Sequence, residues 1–102
     1  MDYFKNLNIS ISRYDDDYSV RYYHPQDKMN IGVIRITNNN NNLITISMNI
    51  NDLIQYIMVS NNLPIEMGDT IVMTIRNHTI TKLKEYIKEM TNDNIPDSLR
   101  TE

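Results

Sequence analysis

LNISISRYDDDYSVRYY, residues 7–23, decides how this chain is read. Leu7, Ile9 and Ile11 alternate with Asn8, Ser10 and Ser12, the period of two that marks a half-buried strand. Beyond Asp15-Asp16-Asp17 the alternation resumes, with Tyr18, Val20 and Tyr22 on one face and Ser19, Arg21 and Tyr23 on the other. Aspartate hydrogen-bonds its own backbone and tolerates the dihedral angles of a tight turn. The stretch is therefore a β-hairpin with an acidic tip, and the chain begins as a sheet.

Working outward, His24-Pro25-Gln26-Asp27 ends the hairpin, since proline removes a ladder donor. Residues 29–37 (MNIGVIRIT) are apolar on both faces and read as a central strand. Asn38 to Asn42 form a polar loop, and residues 43–48 (LITISM) a fourth strand with Ile44, Ile46 and Met48 inward. The period then changes. Ile50, Leu53, Ile54, Ile57 and Met58 make one helical stripe, with Asn49 as N-cap and Asp52 at the positive helix end. Asn61-Asn62 supply a left-handed exit, and Pro64 prevents continuation.

Gly68-Asp69 reads as a turn into a fifth strand, residues 70–76 (TIVMTIR), with Ile71, Met73 and Ile75 on one face. LPIEMGDTIVMTI, residues 63–75, resembles the Gly-Asp step into a strand of AbrB-like transition-state regulators and of PDZ domains. The chain lacks the basic arm of the first and the Gly-rich carboxylate-binding loop of the second, so the resemblance implies a turn before a strand and no activity. Asn77 or Thr79 then caps a last helix to about Met90, with the stripe Ile80, Leu83, Ile87 and Met90. Residues 91–102 are polar and read as a flexible tail. The expected order is ββββαβα: a single α+β domain over residues 1–90, with a mostly antiparallel four- to five-stranded sheet and two helices on one face.

Composition narrows the function. At 102 residues one core is expected, and a formal net charge of −3 disfavours a nucleic-acid binder, which shows a basic face. Absence of cysteine excludes disulfides, thiolate metal sites and a cysteine nucleophile. No apolar run is long enough for a membrane span, and MDYFKNLNIS is not patterned as a signal peptide, so an intracellular location is expected. Sixteen Ile, fifteen Asn and seven Tyr beside two Gly, three Pro and no Ala match an AT-rich genome, and a viral or mobile-element origin is the leading reading.

Catalytic chemistry is thin. His24 and Asp27 lie three apart in a proline-broken segment, His78 is far along the chain, and neither the turn carboxylates nor Glu66 and Asp69 form a buried pair. Two glycines leave no phosphate-binding loop or nucleophile elbow. No enzyme, metal or cofactor is expected. The hairpin instead concentrates Arg13, Tyr14, Asp15, Asp16, Asp17, Tyr18, Arg21, Tyr22 and Tyr23, and Tyr and Arg are the residue types enriched at interface hot spots. The leading expectation is a non-catalytic, acidic module that occupies a host protein's basic patch, by analogy of size and charge with small acidic inhibitors of host defence such as anti-CRISPR proteins. In that mechanism Asp15, Asp16 and Asp17 steer association while Tyr18, Tyr22 and Tyr23 anchor it. The second expectation is a homodimer through a sheet edge or the last helix. A small DNA-binding regulator comes third, disfavoured by charge.

Overall fold

The computed structural model describes residues 2–38 and 44–94. Four strands, β1 (Asn8–Tyr14), β2 (Asp17–Tyr23), β3 (Asn30–Asn38) and β4 (Ile44–Asn49), form one antiparallel sheet in chain order. Two helices follow, α1 (Asn51–Ser60) and α2 (Gly68–Asn94), with a single 3-10 turn at Ile65–Met67 between them. The class is α+β with order ββββαα.

Both helices lie on one face of the sheet. That face carries Ile9 and Ile11 from β1, Tyr18, Val20 and Tyr22 from β2, Ile34 and Ile36 from β3 and Ile46 from β4. Val20, Tyr22 and Ile34 are buried there with Leu53 and Ile57 of α1 and Ile71, Ile75 and Leu83 of α2. Tyr22 pairs with Gly32 but Tyr23 with Asn30, so Ile31 is the extra residue of a bulge. The bulge lets Ile31 enter the core although it is out of phase with Ile34 and Ile36. At Gly32 α1 comes close: a Cβ there would stand 3.1 Å from two carbons of Leu53.

The α1 exit is built as its sequence indicates. Asn62 adopts φ 52, the Leu63 N–H donates to the Met58 carbonyl and the Asn62 N–H to the Val59 carbonyl. These are the two bonds of a Schellman ending. The start differs from expectation. Asn49 is the last residue of β4, and Ile50 holds the cap position without a side-chain capping bond.

The expected fifth strand is not seen. Residues 70–76 lie inside α2, which begins at Gly68 and passes through both proposed caps, Asn77 and Thr79. Ile71 and Ile75 satisfy a period of two and also a spacing of four. The spacing of four continues to Thr79 and Leu83, and all four are buried, whereas Met73 is half exposed. A stripe that long selects the helix over the β preference of TIVMTI, because tertiary burial outweighs intrinsic propensity. Gly68 is helical (φ −54, ψ −47), and Asp69 stands in the first turn, where the helix dipole favours a carboxylate. At its other end α2 runs past Met90 into the segment expected as tail. Residues 39–42 of the asparagine loop and 95–102 of the tail lie outside the described residues.

Candidate interaction surface

The β1–β2 connection is a two-residue turn. Tyr14 pairs with Asp17, leaving Asp15 and Asp16 as the loop and making Asp17 the first residue of β2. Asp15 takes φ 53, a left-handed conformation that aspartate enters more readily than most residues. Arg13 Nε donates to the Asp15 carbonyl at 2.8 Å, and its guanidinium lies 5.9 Å from the centroid of the Tyr18 ring. Asp15 and Asp16 are exposed, and Tyr14 beside them is 81% exposed.

Strand alternation divides the nine sequence-nominated residues between two faces and the tip. Arg13, Tyr18 and Tyr22 are on the helix-covered face, while Tyr14, Asp17, Arg21 and Tyr23 are on the other. Tyr22, expected as an anchor, is fully buried and offers no contact surface. Tyr18 is half-buried, edge-on to Tyr86 of α2 with centroids 6.3 Å apart. The sequence grouped these residues because they are neighbours in the chain. Burial separates them, because only one face is covered.

The uncovered face is rich in hydroxyls. Ser10 and Ser12 of β1, Ser19, Arg21 and Tyr23 of β2, Arg35 of β3 and Ser47 of β4 all present to it. Tyr23 Oη is 3.2 Å from Ser10 Oγ, and Arg21 donates to Ser12 Oγ at 3.4 Å. Among the described residues, none of Asp15, Asp16, Asp17, Arg13, Arg21 and Arg35 takes part in an ion pair. The surface thus combines an acidic tip, two unpaired arginines at its centre and two accessible tyrosines. Arg35 was not nominated from sequence. Its place opposite Ser19, one diagonal from Arg21, follows only from the β2–β3 register.

The histidines serve the fold. His24 Nδ1 accepts from the backbone N–H groups of Gln26 and Asp27, closing the turn after β2. His78 sits in the middle of α2, stacked on Phe4 with centroids 3.8 Å apart. Thr79 Oγ1 donates to the Ile75 carbonyl, so its oxygen accepts the Tyr22 O–H at 2.7 Å. The Tyr22 oxygen is then left to accept the Nδ1–H of His78 at 2.9 Å. Burial pushes the Tyr22 hydroxyl up to about 12, with the Thr79 bond opposing, and pushes the His78 imidazole down. Phe4, in a segment without periodic pattern, gave no sequence signal of this role. Among the described residues no group of three or more His, Asp or Glu side chains is placed to hold a metal ion, and no helix is long and apolar enough to cross a membrane.

No known family model, curated protein or solved structure matches the chain.

Proposed function

We propose that this protein is a non-catalytic protein-binding module whose recognition surface is the uncovered sheet face together with the β1–β2 tip. One observation carries the reading: the face holds exposed Tyr14 and partly exposed Tyr23 beside Arg21 and Arg35, adjoining the exposed carboxylates of Asp15 and Asp16. Tyrosine contributes a large, rigid contact area, and arginine forms directional charge-assisted bonds. The acidic tip suits a basic patch on the partner and would accelerate encounter in a salt-sensitive way. With an AT-rich composition, the reading extends to a viral or mobile-element protein that occupies a host protein's surface.

The test is capture from host lysate by immobilised protein at low and high salt. Wild type is expected to retain a discrete partner that salt weakens. The combined variant Tyr14→Ala, Asp15→Asn, Asp16→Asn is expected to lose it while keeping the wild-type circular dichroism spectrum. Asparagine is chosen because it also tolerates the left-handed angle at position 15. If that variant keeps every partner at low salt, the recognition surface lies elsewhere.

A further inference from the structure

We propose that two copies of this chain associate through their β1 edges across a two-fold axis, forming one continuous eight-stranded sheet with the two α2 helices packed antiparallel over the junction. The inference uses the covered side of the molecule and does not depend on the recognition surface above.

The backbone of β1 comes first. A two-residue hairpin closes on a hydrogen-bonded pair, here Tyr14 with Asp17. Alternation then commits Ser12, Ser10 and Asn8 to β2 and turns the N–H and C=O groups of Ile9, Ile11 and Arg13 toward the free edge. Natural edges are blunted by proline, a bulge or lysine. β1 has none of these over seven residues, and the bulge of the sheet lies between β2 and β3 instead. Arg13, at the turn end and on the covered face, is a charge of the kind that blunts an edge, which leaves residues 8–12 as the open pairing template among the described residues.

The side chains say what pairs with it. Beside the edge is a groove of about 340 Å³, floored by Ile9 and Ile11 and walled by Lys82, Glu85, Tyr86 and Glu89 of α2. An added strand bonded to Ile9 and Ile11 places its own opposing side chains on this face. The occupant must therefore alternate, with apolar residues for the floor and a complement for the charged wall. β1 meets the first requirement itself, as Ile9-x-Ile11. With the axis at Ser10, Ile9 faces the partner's Ile11 and Ile11 faces the partner's Ile9.

The helices meet the second. α2 faces Ile9 and Ile11 of β1 across this groove and touches Tyr18 and Tyr22 of β2, which sets it over this pair of strands. Two such helices in a continuous sheet lie two strand spacings apart, about 9–10 Å. Packed helices prefer about 8–10 Å. The wall residues at 82, 85, 86 and 89 form the single stripe that an antiparallel helix pair needs. Antiparallel packing sets Lys82 against the partner's Glu89, twice by symmetry. Lys82 already bridges Glu85 at 3.5 Å, and Glu89 makes no ion pair among the described residues.

Light scattering over a micromolar concentration series, with amide hydrogen exchange on the same samples, tests the proposal. Wild type is expected to be a dimer whose Ile9 and Ile11 amides gain protection with concentration, while those of Ser10 and Ser12 are protected throughout. Ile11→Lys should be monomeric. Glu89→Lys, at an exposed helix position where folding is undisturbed, should weaken the dimer by about tenfold or more, since it opposes like charges twice. Lys82→Glu combined with Glu89→Lys should recover most of that loss. A monomer at every concentration overturns the proposal. So does a dimer that survives Ile11→Lys but is lost in Met48→Lys, which would put the junction at β4. Protection of the Ile9 and Ile11 amides only when a different protein is bound would assign the edge to a foreign strand and equally overturn it.

Discussion

At the scale of single residues, the informative side chains lie in the core. The Tyr22 hydroxyl links the sheet to α2 through both His78 and Thr79. His78 is consequently a stability sensor. Burial disfavours its imidazolium and Lys82 adds to this, outweighing Asp2 and Glu85, so its pKa in the folded protein lies below the ordinary 6.5. The unfolded chain therefore binds this proton at a higher pH than the folded one does. The contribution to stability is complete above pH 6.5 and is lost as pH falls through the lower folded value. Urea midpoints measured downward from neutral pH are expected to fall across this window. His78→Asn, which retains a donor toward Tyr22, should flatten the fall. An unchanged slope in His78→Asn would assign the titration to another group.

At the scale of elements, the two glycines predict opposite outcomes for one substitution. Gly32 lies where α1 crosses β3, and a methyl there would press on Leu53 at 3.1 Å. Gly32→Ala is expected to cost about 1–3 kcal/mol, the usual range for overpacking. Gly68 is already helical and has open space around its missing Cβ, so Gly68→Ala should stabilise by about 0.4–1 kcal/mol, mainly by restricting the unfolded chain. Thermal unfolding of both variants checks the signs. If Gly68-Asp69 were a turn into a strand, as the sequence suggested, alanine there would bring no helical gain. The elements were legible wherever one period ran unopposed. Ile9 and Ile11 against Ser10 and Ser12 read as a strand, and Ile50 through Met58 as a helix, because each pattern matches the single face that is buried. Residues 70–76 misled because Ile71 and Ile75 fit both periods, and the evidence for helix lay further on, at Thr79 and Leu83. Thr79 is a polar residue in the core that no apolar pattern would count. The acidic tip was legible for the same local reason as the hairpin. Which of its tyrosines reach solvent was not, because that depends on which face the helices cover, and the diagonal placement of Arg35 next to Arg21 depends on a register between strands.

At the scale of the whole molecule, most of the sheet can form from neighbours in sequence, since each strand pairs with the next. α2 is different. Its hydrogen bonds to Tyr22 span 56 and 57 residues, and its 27 residues extend about 40 Å, longer than a seven-residue strand of about 24 Å. Closing so long a loop costs entropy before the contact stabilises anything, so the meander is expected to form early and α2 to dock on it late. Thr79→Val isolates the docking step. Valine keeps the shape but removes the acceptor of the Tyr22 hydroxyl and the donor to the Ile75 carbonyl. Loss of a buried hydrogen-bonding group costs about 1–3 kcal/mol. If docking follows the transition state, nearly all of that loss appears as faster unfolding, with the refolding arm of the chevron unchanged. Val20→Ala, in an inner strand of the early meander, should instead slow refolding. Equal effects of Thr79→Val on both arms would mean that α2 is already seated in the transition state, and that the molecule condenses around its longest-range contact.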